Sequence, residues 1–280
     1  MNSKLIQKLT GAALLLSVNA AQAISCNISS PGFVDGYDNS IQNINQTSYS
    51  ITCTRGNTDP DPATTSYAVT VDNGRNFTAG SNQAVSGANR IAYELFTDVN
   101  CGAVWKNKTL PNPARIITMA GLSPTTVTET FWGCIRAGLA PAAGIYNDTV
   151  FMTPTYSTGV LGGTPPHGIS VKIITPATCT ISAIPAITLA YGNAFGPGAF
   201  ATTNAPVTCS NQLPYRIAVS PTSGVSAGIF YTLSLPASAT GTGAVQNIPI
   251  TATAPPGQAG TCTTGACTGL PQPHTLTVTY

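Results

Sequence analysis

An alternating strand occurs once in this chain where an internal repeat calls for it twice. The 280 residues are laid out as two halves on one plan. Each half opens with Cys-x-Ile-Ser, as Cys26-Asn27-Ile28-Ser29 and Cys179-Thr180-Ile181-Ser182. Each continues with a strand ending in a second cysteine, Cys53 or Cys209, and then a Tyr-led alternating strand from Tyr67 or Tyr215. Ahead of the second half stands Ile169-Ser170-Val171-Lys172-Ile173, apolar at every other position, which is the period of a half-buried strand. Nothing equivalent is expected ahead of the first half. If both halves share one fold, they cannot both be complete unless a strand is shared.

The reason lies at the N-terminus. Lys4 and Lys8, the short apolar run from Thr10 to Val18, and Ala21-Gln22-Ala23 have the layout of a secretory signal over residues 1–23. The run is too short to span a bilayer. The mature chain is expected to start at Ile24, so only Ile24 and Ser25 precede Cys26. Export places the eight cysteines in an oxidising compartment, where an even count implies disulfides. Eight cysteines allow about 105 pairings. The simplest is sequential: Cys26–Cys53, Cys101–Cys134, Cys179–Cys209 and Cys262–Cys267. A bridge closing a loop of about 30 residues contributes roughly 3–4 kcal/mol.

The expected fold class is all-β. Strands are predicted at Tyr67–Val71, Ile91–Phe96, Thr149–Thr153, Tyr215–Val219, Phe230–Leu235 and His274–Tyr280, with Asp72-Asn73-Gly74 as a hairpin-type turn. No stretch after the signal holds a helical period for three turns. Many short strands divided by Pro and Gly argue for two β-sandwiches. The Gly/Pro-rich stretch Ser157–Gly168 is expected to be the linker.

Charged residues make up only 7% of the chain, against about 25% in average domains. Without the signal, acids and bases balance. That leaves no basic footprint for nucleic acid, and a near-neutral surface favours association. Catalysis is not expected. The two histidines, His167 in the linker and His274 on the final strand, are expected to face solvent or a sheet edge. After Cys179 the sole charged side chain is Arg216, so carboxylate acid–base chemistry is missing there. Asp59-Pro60-Asp61 lacks the spacing of a calcium loop and is expected to be a solvated turn. Cys262 and Cys267 have no second pair nearby to hold zinc. No cofactor and no metal are therefore expected.

Two motifs add a resemblance. Tyr93-Glu94-Leu95-Phe96-Thr97-Asp98, followed by Val104-Trp105, resembles the Tyr-x-Leu-[Phe/Tyr]-x-Asp…Trp core of spore coat protein U (SCPU) domains. Gly144-Ile145-Tyr146-Asn147-Asp148-Thr149-Val150 resembles the Gly-x-Tyr-x-Asp-Thr-Val strand of that family. The second half is similar at Cys179, Tyr191-Gly192-Asn193, Cys209, Tyr215 and the terminal Thr277-Val278-Thr279-Tyr280. It departs at Gln272-Pro273-His274, where the Tyr-x-Asp element is replaced.

The resemblance implies a subunit of an archaic (Csu-type) chaperone–usher pilus. Such pilins are immunoglobulin-like sandwiches lacking a final strand, which the next subunit donates by β-augmentation. Tip subunits have two domains and no donor extension. A donor extension needs about ten residues ahead of the first cysteine, and two are expected here. The chain therefore resembles a tip adhesin. Residues 24–176 would form an adhesive domain completed within the chain by Ile169, Val171 and Ile173, on a strand near 168–175. Residues 177–280 would form a pilin domain, incomplete for want of a donor strand. The alternative is that Ile169–Ile173 is simply the second domain's first strand. Implied partners are a periplasmic chaperone, an outer-membrane usher, the next pilin subunit, and hydrophobic or abiotic surfaces colonised in biofilms. The implied location is the pilus tip at the cell surface, reached through the periplasm. Apolar residues among turn formers are the surface-binding candidates: Phe33, Val34, Leu110, Ile116, Ile117, Met119, Leu122 and Leu139. The rival function is a secreted spore-coat-like or envelope structural protein with two self-complete domains.

Overall fold

A computed structural model describes residues 24–106, 108–157, 165–192, 194–261 and 269–280. The expected signal peptide and the expected Cys262–Cys267 bridge lie outside the described residues.

Every regular element is a strand. The first half contains β1 (Ser25–Ser29), β2 (Phe33–Gly36), β3 (Asn43–Thr54), β4 (Ala63–Val71), β5 (Asn82–Ser86), β6 (Asn89–Phe96), β7 (Leu110–Met119), β8 (Thr125–Ile135), β9 (Gly144–Tyr156) and β10 (His167–Thr175). The second contains β11 (Cys179–Ile181), β12 (Ala199–Cys209), β13 (Pro214–Ser220), β14 (Ser223–Ser226), β15 (Ile229–Ser234), β16 (Ser238–Thr240), β17 (Val245–Ala254) and β18 (Thr275–Thr279).

The chain forms two immunoglobulin-like sandwiches, and their sheets correspond strand for strand. The order β11-β12-β17-β15-β14 in the second repeats β1-β3-β8-β6-β5 in the first. Likewise β16-β13-β18 repeats β7-β4-β9. The first sandwich then continues where the second stops: β10 pairs with the free side of β9, and β2 pairs with β10. The hairpin β5–β6 crosses between the two layers, because β6 pairs with β8 in one and β5 touches β9 in the other.

Period-two alternation builds the first core. Tyr146, Val150 and Met152 on β9, and Ile169, Val171 and Ile173 on β10, are all buried in one cluster with Tyr49, Trp105 and Phe131. Each such side chain contributes roughly 1.5–3 kcal/mol relative to exposure. Phe33 on β2 lies flat over Gly133 of β8, where a Cβ would come within 2.2 Å of its ring. The edge strand β7 carries Pro111 and Pro113, which deny ladder donors to a neighbouring chain.

Disulfides join Cys26 to Cys53 and Cys179 to Cys209, in both cases tying the first strand to its neighbour at a directly paired position. A third joins Cys101 to Cys134, fixing the loop after β6 to β8.

Three expectations are corrected. Asp72-Asn73-Gly74 does not close a hairpin between β4 and β5. Asp72 instead continues along β9, accepting from the Phe151 N–H at 2.9 Å, because β4 pairs with β9 while β5 forms its hairpin with β6. Asp59-Pro60-Asp61 is a turn solvated at Pro60 and Asp61 but not at Asp59. Asp59 is buried and accepts from the Gly56 N–H, and Asp61 pairs with Arg55 at 2.7 Å. Arg55 also donates to the Gly121 and Asp59 carbonyls, clasping this loop to the β7–β8 turn. Finally, His167 is not in a linker; it is the first residue of β10, paired with Met152.

Candidate functional site

The two motifs that look most like chemistry prove to be architecture. The Tyr93 hydroxyl donates to Asp148 Oδ2 at 2.8 Å, and Asn76 donates to Asp148 Oδ1 at 3.0 Å. The paired motifs thus meet inside the first core. Burial, and next the charge of Asp148, push the Tyr93 hydroxyl far above its ordinary range, so it stays a donor. Trp105 Nε1 donates to the Val69 carbonyl, and its ring stacks on Tyr49. Asp98 accepts from the N–H groups of Ala103, Gly102 and Asn100. Those backbone donors, Ala103 first, hold its carboxyl below the usual carboxylate range. Replacing Tyr93 by Phe leaves Asp148 with one donor fewer. The expected cost is about 1–3 kcal/mol, read as a lower urea midpoint at unchanged slope.

The feature without a structural partner is an edge. In the first sandwich β9 is covered on both sides, by β4 and by β10, and its core-facing side chains are fully buried. Its counterpart β18 pairs only with β13, Leu276 against Val219 and Val278 against Ile217. Among the described residues no strand covers the other side of β18. Leu276 and Val278 are only half-buried, although they face the second core. Ile184, Ile187 and Leu235 pack on that core in the same incomplete way. The segment from Ser182 to Gly198, which corresponds to the β2 region, contains no strand among its described residues. It follows β12 instead, with the Ser182 N–H on the Pro206 carbonyl and Thr203 Oγ1 donating to the Pro185 carbonyl. The result is an apolar strip bounded by the unpaired N–H and C=O groups of one strand, which is the makeup of a β-augmentation site.

His274 fixes the start of this edge. Its Nδ1 lies 2.7 Å from the Pro221 carbonyl, and its Nε2 lies 2.8 Å from the Tyr231 hydroxyl on the opposite sheet. His274 thus stands at a sheet edge, and its ring pins the two layers together.

Sequence similarity then gives the lineage. The Spore Coat Protein U domain model matches residues 12–153. The chain belongs to the SCPU family. No curated protein matches it. Among solved structures, one similar chain is the tip adhesion subunit in the CsuC–CsuE chaperone pre-assembly complex from the archaic chaperone–usher Csu pili of Acinetobacter baumannii. It shows 12% identity and a TM-score of 0.41, covering 91% of this chain and 100% of that one. Another is the CupB6 tip adhesin of Pseudomonas aeruginosa, with 11% identity and a TM-score of 0.40, covering 91% and 94%. A third is the CooA pilin subunit of enterotoxigenic Escherichia coli, with 13% identity and a TM-score of 0.31, covering 54% and 97%.

The SCPU sandwich distributes the expected surface-binding residues unevenly. Phe33, Ile117 and Met119 are removed from any surface, because each is an inward position of β2 or β7 and is buried in the core. Leu110 and Leu139 are half-buried against the same core. Val34, Ile116 and Leu122 are exposed. The segments around them looked like loops because Pro and Gly flank them, yet two of the three segments are strands. Among the described residues no group of three or more His, Cys, Asp or Glu side chains is placed to hold a metal ion.

Proposed function

We propose that this SCPU protein is the tip subunit of a chaperone–usher pilus. Its second sandwich takes a strand from the next subunit, and its first sandwich, already complete, faces the surface to which the cell attaches. One observation carries the reading. Two sandwiches with the same strand order differ in what lies beside one strand: β10, itself flanked by β2, occupies the place beside β9, and among the described residues no strand lies at that place beside β18. A chain so built receives a strand at one sandwich and needs none at the other. Before assembly, a periplasmic chaperone would cover the β18 edge, and an usher would exchange it for the next pilin. Val34, Ile116 and Leu122 remain the candidates for contact with apolar surfaces.

The test uses the mature chain and a synthetic peptide from the N-terminal extension of a pilin encoded beside it. Limited proteolysis is followed with and without the peptide. The expected result is that the fragment spanning β11–β18 resists protease only with peptide, while the fragment spanning β1–β10 resists in both cases. Equal resistance of both fragments without peptide would favour the rival envelope protein.

A further inference from the structure

The first sandwich shows what sits at the end of a filled groove. β10 finishes at Thr175, opposite Gly144 at the start of β9, and β11 begins after three intervening residues. The second sandwich is thereby held against that end of the first. Asn211 Nδ2 donates to the Ala140 carbonyl at 2.7 Å, Asn211 bridges to Ala142, and Ser210 Oγ donates to the Pro176 carbonyl at 3.0 Å. The contact covers the loop that leads into β9, around Ala140 and Ala142, while Ile41 and Ile44 near the start of β3 stay exposed.

The corresponding end of the second sandwich is where β12 starts, β17 stops and β18 starts. Its described residues are aromatic and exposed. Phe195 is 74% exposed, Phe200 79% and Leu270 79%, with Val225 and Phe230 also exposed beside them. Pairing places Phe200, Thr253 and Thr232 in one row across the outer face, and Val225 beside Phe230 in the next. Gln258 fastens the loops beneath this surface. Its side chain accepts from the Phe230 N–H and donates to the Phe230 and Pro255 carbonyls, and its backbone carbonyl takes the Phe195 N–H. Phe195 is held at φ +55°, a conformation that a bulky side chain adopts only under constraint. No charged residue lies near: the lone one after Cys179, Arg216, pairs with Thr279 at the opposite end of β18.

We infer that this aromatic end is the docking surface for the body of the strand-donating subunit. The inference rests on the proposed strand donation. A donor lying beside β18 as β10 lies beside β9 runs antiparallel to it and ends opposite Thr275, at this end. Whatever folds immediately after the donor strand must start there. The internal precedent places a sandwich on the equivalent end of β1–β10, after a link of three residues that reaches about 11 Å at most. Aromatic side chains at the centre of a patch carry most of an interface's affinity, and an uncharged patch selects an equally apolar, uncharged partner face.

Two probes separate the docking from the strand donation: the peptide described above, which fills the groove without a body, and the whole pilin from which it comes. Footprinting is expected to show Phe195, Phe200 and Leu270 protected by the pilin and not by the peptide. The exposed double variant Phe195→Ser/Phe200→Ser is expected to shorten the lifetime of the pilin complex roughly 10- to 100-fold with peptide binding unchanged. If the pilin binds but leaves these residues unprotected, with equal lifetimes for both proteins, the docking surface is wrong and strand donation stands. If neither peptide nor pilin binds, the strand-donation reading fails and the docking surface falls with it.

Discussion

Replacing Val171 by Asp is expected to unfold the first sandwich while leaving the second intact. Val171 is fully buried, paired with Phe33 on one side and Asp148 on the other. A carboxylate there faces an apolar core and an existing buried carboxylate, so it must either neutralise or disrupt the packing. The expected loss exceeds about 4 kcal/mol, which is comparable with the whole stability of many domains. Both tryptophans, Trp105 and Trp132, belong to the first half. Their fluorescence therefore reports this sandwich alone. Val34→Asp is the control, one strand away but exposed, and is expected to move the midpoint by about 0.5 kcal/mol or less. If β10 served only the second half, Val171→Asp would leave the tryptophan transition unmoved, and the shared-strand reading would be lost.

Supplying the missing strand within the same chain is expected to have the opposite effect on the second sandwich. A donor antiparallel to β18 begins beside Thr279, so a turn of about two to five residues after Tyr280 suffices to bring back a copy of residues 167–175. Tethering gives an effective concentration in the millimolar range. If that is about 100 times the dissociation constant, the gain is about 2.7 kcal/mol. For a sandwich of this size the melting point should rise by roughly 10–20 °C. Replacing the copied apolar positions by Ser should abolish the rise. An unchanged melting temperature for the extended chain would argue that the β18 edge does not accept a strand of this kind.

The reach of the sequence differed from element to element. The strand at Ile169–Ile173 was legible because alternation is a local property: three apolar side chains at period two must lie on one face. The SCPU motifs were legible as motifs, but their roles were not. Tyr93 and Asp148 are 55 positions apart, and their 2.8 Å contact exists only once β6 and β9 share a core. Phe33, Ile117 and Met119 were misread as surface residues because Pro and Gly around them have loop character. Burial is decided by what packs opposite, and for Phe33 that is Gly133, far along the chain. The aromatic end of the second sandwich left no signal at all. Phe195 and Phe230 are 35 positions apart and are gathered by the hydrogen bonds of Gln258, while Phe200 is placed by the pairing of β12 with β17.

By itself, then, the sequence determined the all-β class, the two-fold plan, and the alternating run at Ile169–Ile173. These follow from residue order, because period and repeat are written along the chain. Only the tertiary structure decided which sandwich that run completes, which edge stays open, and what lies at its end. Strand pairing is a contact between distant segments: β10 lies between β9 and β2, where its apolar face enters the core and its backbone groups pair on both sides.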